Sequence, residues 1–147
     1  MVYSYSQLVL EHFREPRNVG EMKDANAKAT AGSMACGDMM TFYLKIENGI
    51  VTNATFESYG CAANIATGSM VTELIKGKPL EEVKNLTWQE VVKSLGGLPK
   101  VKHHCSNLAI DTLMKAISEY EKTGLTEVET SDGKAAGREK TSQVIEG

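Results

Sequence analysis

The sequence predicts an α+β domain, a small three-stranded antiparallel sheet with helices packed on it. Three observations carry that prediction. Phe42, Leu44 and Ile46 alternate with Tyr43, Lys45 and Glu47, the period of two of a strand. Asn48-Gly49 follows directly, and both residues tolerate the positive φ of a tight hairpin. On either side of this strand region, apolar residues recur at helical spacing between recognisable start and stop signals.

The first helix is expected over about Ser6–Glu15. Leu8, Val9, His12 and Phe13 recur near helical spacing, Ser4 or Ser6 can cap it, and Pro16 stops it. His12 is placed on the surface of this helix and given no role. Arg17-Asn18-Val19-Gly20 reads as a turn. A strand is expected around Lys28–Met34, a second through Glu47, and a returning strand over Ile50–Tyr59, rich in Val, Thr and Phe. After Cys61 the chain turns helical, with Ala63, Ala66, Met70 and Leu74 on one face and Lys76-Gly77-Lys78-Pro79 as its stop. Leu80–Lys84 suits a single turn. Thr87-Trp88-Gln89-Glu90 fits a capping box opening a helix that Gly96-Gly97 ends. The last helix is expected to start near Cys105 or Ser106 and to end at Gly124. Its stripe of Ile110, Leu113, Met114, Ile117 and Tyr120 reads as core. Residues 125–147, rich in Thr, Ser, Glu, Lys and Gly, read as a disordered tail after a domain over residues 1–124, too poor in apolar surface to offset ordering entropy.

With 147 residues, 41% hydrophobic and 24% charged, the chain suits one globular domain. A net charge of −3 argues against a broad nucleic-acid surface. No stretch of eighteen apolar residues suggests a membrane span, and the N-terminus lacks the regions of a signal peptide, so a cytoplasmic location is expected.

Three cysteines cannot all pair within one chain, and 24 and 43 residues separate them in turn, unlike a zinc ribbon. Scattered cysteines are often buried small hydrophobes. Here each sits at an element end: Ala35-Cys36-Gly37-Asp38 in a turn, Tyr59-Gly60-Cys61 where a strand gives way to a helix, and His104-Cys105-Ser106 before the last helix. Side chains at such ends can converge on a surface pocket. Cys61 and Cys105 are expected at helix N-termini, where partial positive charge favours thiolate, by less than roughly one pKa unit. Three soft thiolates invite zinc, copper(I) or an iron–sulfur cluster. A [2Fe–2S] unit leaves a fourth position, for which Asp38 and His104 both stand near. A carboxylate or imidazole there holds iron less firmly than a fourth thiolate, as a site that releases its cluster requires. Taken singly, Asp38 also suits a turn, His103 or His104 a helix cap or solvent, and Met34, Met39 and Met40 either sheet packing or an apolar rim for a partner.

These residues resemble the IscU/NifU family of iron–sulfur cluster scaffolds over about residues 3–122. Tyr5-Ser6 with Glu15-Pro16-Arg17-Asn18-Val19-Gly20 is similar to the family's N-terminal signature, and the three cysteine segments, the last preceded by Leu98-Pro99-Lys100-Val101-Lys102, to its three cysteine motifs. The resemblance implies that Cys36, Cys61 and Cys105 bind a [2Fe–2S] cluster, with Asp38 and His104 in or near the site. It implies a non-enzymatic scaffold and carrier. It also implies partners: a cysteine desulfurase delivering persulfide sulfur, first to Cys105, then an electron donor such as ferredoxin, an iron donor and apo-protein acceptors. The short gap from Cys61 to Cys105 and the presence of His104 favour the IscU branch. Two residues depart from the pattern. Lys100 stands where members served by an Hsp70-type chaperone carry a second proline, which weakens extended recognition there, and Ala62 stands where glycine is common. Two other functions use the same residues: a zinc-dependent sulfurtransferase, and a cysteine hydrolase built on Cys105, His104 and Asp38, for which adjacent residues at a helix start give poor nucleophile–base geometry.

Overall fold

The structure is a computed structural model that describes residues 5–33 and 37–128, with side chains for 5–32 and 37–122. Met34, Ala35 and Cys36, and the tail from residue 129 onward, lie outside the described residues. The chain divides into two compact units, residues 1–116 and 117–147.

The first unit carries the sheet. Strands β1 (Ala27–Ser33), β2 (Asp38–Glu47) and β3 (Ile50–Tyr59) form an antiparallel meander in the order β1-β2-β3. Asn48 and Gly49 turn the β2–β3 hairpin at φ 53° and 76°, as their side chains allow. Phe42 lies opposite Phe56, with ring centroids 6.4 Å apart. The register slips between Lys45 and Ile46, where Thr52 is the extra residue. This bulge shifts the phase of β3, so Val51 and Ala54 are both buried although three positions apart. On the other face polar side chains pair across the strands: Thr30 with Thr41 at 2.7 Å, and the Tyr43 hydroxyl donating to Glu57 at 2.5 Å.

Helix α1 (Gln7–Arg14) is capped by Ser6, whose Oγ accepts from Val9 N–H. It docks through Val9 and His12 and leaves Leu8 and Phe13 about two-fifths exposed. His12 is therefore not the surface residue expected. It is 5% exposed, with Nδ1 2.7 Å from Ser69 Oγ. Ser69 Oγ also accepts from Arg17 N–H at 2.9 Å, so its own proton is free to go to His12 Nδ1. That arrangement suits a neutral ring. Burial, aided by the Arg17 charge, holds the His12 pKa below the ordinary histidine value. An unfolded chain takes up this proton more readily than the folded one, so stability is full above the unfolded value near 6.5 and declines as pH falls below it. Tm is expected to fall between pH 7 and pH 5, and His12→Gln to flatten that fall. Equal pH slopes in the two proteins would contradict it.

Helix α2 (Ala62–Ile75) runs over the sheet, against β3, α1 and a later helix. The expected single apolar face is wrong in one respect: every residue from Ala66 to Thr72 is buried. A helix covered all round can carry polar side chains only when they are paired. Thr67 Oγ1 donates to Ala63 O at 2.6 Å, and Thr72 Oγ1 to Ser69 O at 2.7 Å. Gly68 allows the close approach to the sheet, since a Cβ there would stand 2.5 Å from the Phe56 ring. One turn, α3 (Leu80–Val83), precedes α4 (Trp88–Ser94), which opens on the Thr87–Glu90 capping box.

After a 3-10 turn at Lys100–Lys102, helix α5 spans His103–Val128. It starts two or three residues earlier than expected and passes through Gly124 instead of ending there. A glycine costs a helix interior only about 1 kcal/mol, and Leu125 and Glu127 after it are good helix formers. Within the first unit the buried stripe of α5 is Cys105, Ser106, Ala109, Thr112, Leu113 and Ala116. Ile110 and Met114 are only half-buried, so the stripe is rotated from the expected one toward its smaller residues. Residues 117–128 of α5 belong to the second unit.

Candidate functional site

Three element ends supply the site. Asp38 opens β2, Cys61 is the N-cap of α2, and His104 and Cys105 lie in the first turn of α5. Met39 pairs with Tyr59 at the open end of the hairpin, which brings the start of β2 beside the Gly60-Cys61 junction. Gly60 sits at φ +151°, and a Cβ on it would stand 2.4 Å from Asp38 Oδ1 and 3.0 Å from Asn64 Nδ2. The junction therefore needs glycine twice, for its backbone and for the space it leaves the Asp38 carboxylate.

Four potential ligands form a chain of contacts. Asp38 Oδ2 is 3.0 Å from His104 Nε2, His104 Nε2 is 3.6 Å from Cys105 Sγ, and Cys105 Sγ is 3.9 Å from Cys61 Sγ. Among the described residues, no three of them already converge as a closed metal-binding set. Cys36 lies outside the described residues.

His104 is held from behind. Its Nδ1 lies 2.9 Å from Val101 O, which can only accept, so Nδ1 carries a hydrogen there. That bond fixes the ring and presents Nε2 to Asp38 and the sulfurs, the backing that metal-ligating histidines usually have. His103 faces elsewhere: Nε2 is 3.0 Å from Leu98 O, and the ring packs on Trp88 with centroids 5.3 Å apart. Met40 is fully buried core and Met39 half-buried, while Tyr59 and Val101 are more than half exposed.

The two described sulfurs share a proton unequally. Cys61, half-buried, is pulled down to about 5. The largest cause is the S–H of Cys105 pointing at it, with Asn64 and Ala63 N–H groups and the Lys102 charge adding to it. No true capping hydrogen bond forms at that helix start, so the dipole is the smaller part, as its ~1 kcal/mol scale requires. Cys105 goes the other way. Donation to Cys61, complete burial and the neighbouring thiolate hold it as a thiol, well above the ordinary range. The expected thiolate at the start of α5 is corrected here: Cys105 lies inside the first turn, fully buried, and Cys61 carries the charge. Sequence reasoning did not single out Lys102, Gly60 or Asn64. Lys102 and Gly60 lay inside the quoted motifs, whereas nothing in the local pattern marked Asn64.

Known proteins match this chain over most of its length. The family described as NifU-like N terminal domain matches residues 4–127. An iron-sulfur cluster assembly scaffold protein IscU of Archaeoglobus fulgidus is 50% identical over 116 residues, covering 79% of this chain and 76% of that protein. One from Aquifex aeolicus is 45% identical over 122 residues, covering 82% and 78%. The crystal structure of an N-terminal NifU-like protein from Brucella abortus shares the fold, with a TM-score of 0.63 at 24% identity, covering 80% of this chain and 94% of that one.

Proposed function

This chain belongs to the NifU-like N-terminal domain family, and on that premise we propose that it is an iron–sulfur scaffold of the IscU type. It builds a [2Fe–2S] cluster from iron, desulfurase-derived persulfide sulfur and the electrons of a donor such as a ferredoxin, which reduce that sulfur to sulfide, and passes it to apo-proteins. The cluster is its cargo, held by Cys36, Cys61 and Cys105 with Asp38 or His104 completing the set. The observation that carries the reading is the meeting of Asp38, His104, Cys105 and Cys61 in one chain of contacts, each link 3.0 to 3.9 Å, from three elements far apart in sequence. Two thiols, an imidazole with its second nitrogen anchored and a carboxylate suit iron as well as zinc.

Sulfur transfer is a displacement. A cysteine thiolate attacks the sulfane sulfur of the desulfurase persulfide, a new S–S bond forms, the old one breaks, and the desulfurase cysteine leaves as thiolate. Cys105 is the proposed acceptor. At rest it keeps the proton of the pair, so that proton must leave before attack, and the Cys61 thiolate, 3.9 Å away, is the base it already faces. The hydrolase alternative fits poorly, because His104 Nε2 faces the Asp38 carboxylate at 3.0 Å and lies 3.6 Å from Cys105 Sγ, the poor nucleophile–base geometry of adjacent residues at a helix start. No helix among the described residues is long and apolar enough to cross a membrane. The chemistry needs reduced thiols, which suits the cytoplasm.

Asp38 tests the release half of this account. Asp38→Ala is expected to slow cluster transfer to an apo-ferredoxin about 10-fold or more, the scale of losing a group at the metal's edge. Transfer followed by visible circular dichroism checks it, and unchanged kinetics would remove Asp38 from the mechanism.

A further inference from the structure

One fully buried amide links both sides of the site. Asn64, in the first turn of α2, is 0% exposed. Its Nδ2 donates to Ser58 Oγ at 2.7 Å and to Tyr59 O at 3.2 Å, and reaches Met39 O at 3.5 Å. Tyr59 and Gly60 lead into Cys61, and Met39 follows Asp38, so this nitrogen touches the backbone next to both candidate ligands. Asn64 N–H also donates to Cys61 O at 3.0 Å. Two of the three acceptors are carbonyls, so the amide cannot be turned over without facing oxygen with oxygen. Its Oδ1 is buried and has no hydrogen-bond partner among the described residues. A buried carbonyl left unpaired is a cost that an apolar side chain would avoid. The nitrogen's bonds must outweigh it, and they tie α2 to the ends of β2 and β3 that lead to Asp38 and Cys61.

Given the metal-holding role proposed above, we propose that Asn64 is a positioning residue of this site: its carboxamide fixes the spacing between the Asp38 carboxylate and the Cys61 sulfur. The space left by the missing Gly60 Cβ, bounded by Asp38 Oδ1 and Asn64 Nδ2, is where that spacing is set. The backbone N–H of Asn64, which any substitution but proline keeps, reaches the Cys61 sulfur; its carboxamide acts through the two backbones.

Cobalt(II) titration of the full apo-chain under anaerobic conditions tests this, because its sulfur-to-cobalt and d–d bands report ligand identity and geometry separately from affinity. Asn64→Ala is expected to weaken cobalt binding about 10- to 100-fold, the range for supporting groups behind metal ligands, and to shift the d–d bands. Thr67→Ala, which removes a buried hydroxyl one turn further along α2, is expected to lower Tm with affinity and bands unchanged. Ser58→Ala, removing only the shortest acceptor, is expected to fall between them, and it decides the matter if Asn64→Ala does not fold. Wild-type affinity and bands in Asn64→Ala, or in Ser58→Ala if only that variant folds, would overturn the proposal. So would an affinity loss with unshifted bands that Thr67→Ala matches. If the wild-type chain gives no sulfur-to-cobalt band, the metal-site reading itself fails and the positioning role with it.

Discussion

In a Cys61→Ser chain, cluster building is expected to fall by about 100-fold or more, beyond the range set by losing a supporting group alone. The same substitution is expected to change Cys105. Cys61 is the thiolate of the pair and accepts the Cys105 S–H across 3.9 Å. With the thiolate gone, Cys105 loses the charged acceptor of its proton and the charge that repels its own ionisation, and burial and the Asp38 carboxylate are left to keep its pKa up. Alkylation by iodoacetamide, resolved by peptide mass, reads both effects. In the wild type Cys61 is expected to label with a midpoint near 5 and Cys105 to resist labelling through neutral pH. In Cys61→Ser the low-pH event disappears, and Cys105 labels at lower pH than before. A Cys105 profile unmoved by the substitution would show that the two sulfurs are not coupled.

Gly60→Ala is expected to have the second largest effect. A Cβ at φ +151° is strained in any surroundings, and here it would also meet Asp38 Oδ1 at 2.4 Å and Asn64 Cβ at 3.2 Å. Backbone strain and overpacking together cost about 2–4 kcal/mol. The carboxylate is the part that can move, so it swings away from His104 and the sulfurs. Cobalt or iron affinity is then expected to fall about 10-fold or more, as when a group at the metal is displaced. Gly20→Ala is the control, with φ +126° and nothing within 4 Å of the added carbon. It carries the strain without the clash. Chemical denaturation and metal titration of both variants separate the two effects. Equal losses in the two would mean that the space around Gly60 does not matter.

Much of the fold was legible because it is local. Asn48-Gly49 fixes the hairpin through backbone conformation alone, and Ile50–Tyr59 runs between the limits read from sequence. Ser6 and Pro16 bracket α1, and the Thr87–Glu90 box opens α4. What was not legible depends on docking. His12 is buried because α1 turns Val9 and His12, not Leu8 and Phe13, toward α2, a rotation that helical spacing alone does not choose. The bulge at Thr52 changes which residues of β3 face inward, and no turn signal marks it. In the site, the three cysteine neighbourhoods, Asp38 and His104 stood out by residue type. The division of charge between Cys61 and Cys105 did not, because it follows from one sulfur being fully buried and the other half-exposed. Asn64 was invisible for a similar reason: an asparagine in the first turn of a helix is ordinary until its partners are known.

The central claim is that this chain gathers its cysteines into one site that builds a cluster. Anaerobic reconstitution with ferrous iron, cysteine, a cysteine desulfurase and a thiol reductant, followed by iron, sulfide and zinc analysis per chain, tests it most directly. The expected product is red-brown, with iron and acid-labile sulfide in equal amounts, about two of each per chain. A colourless chain holding one tight zinc and no sulfide would contradict it.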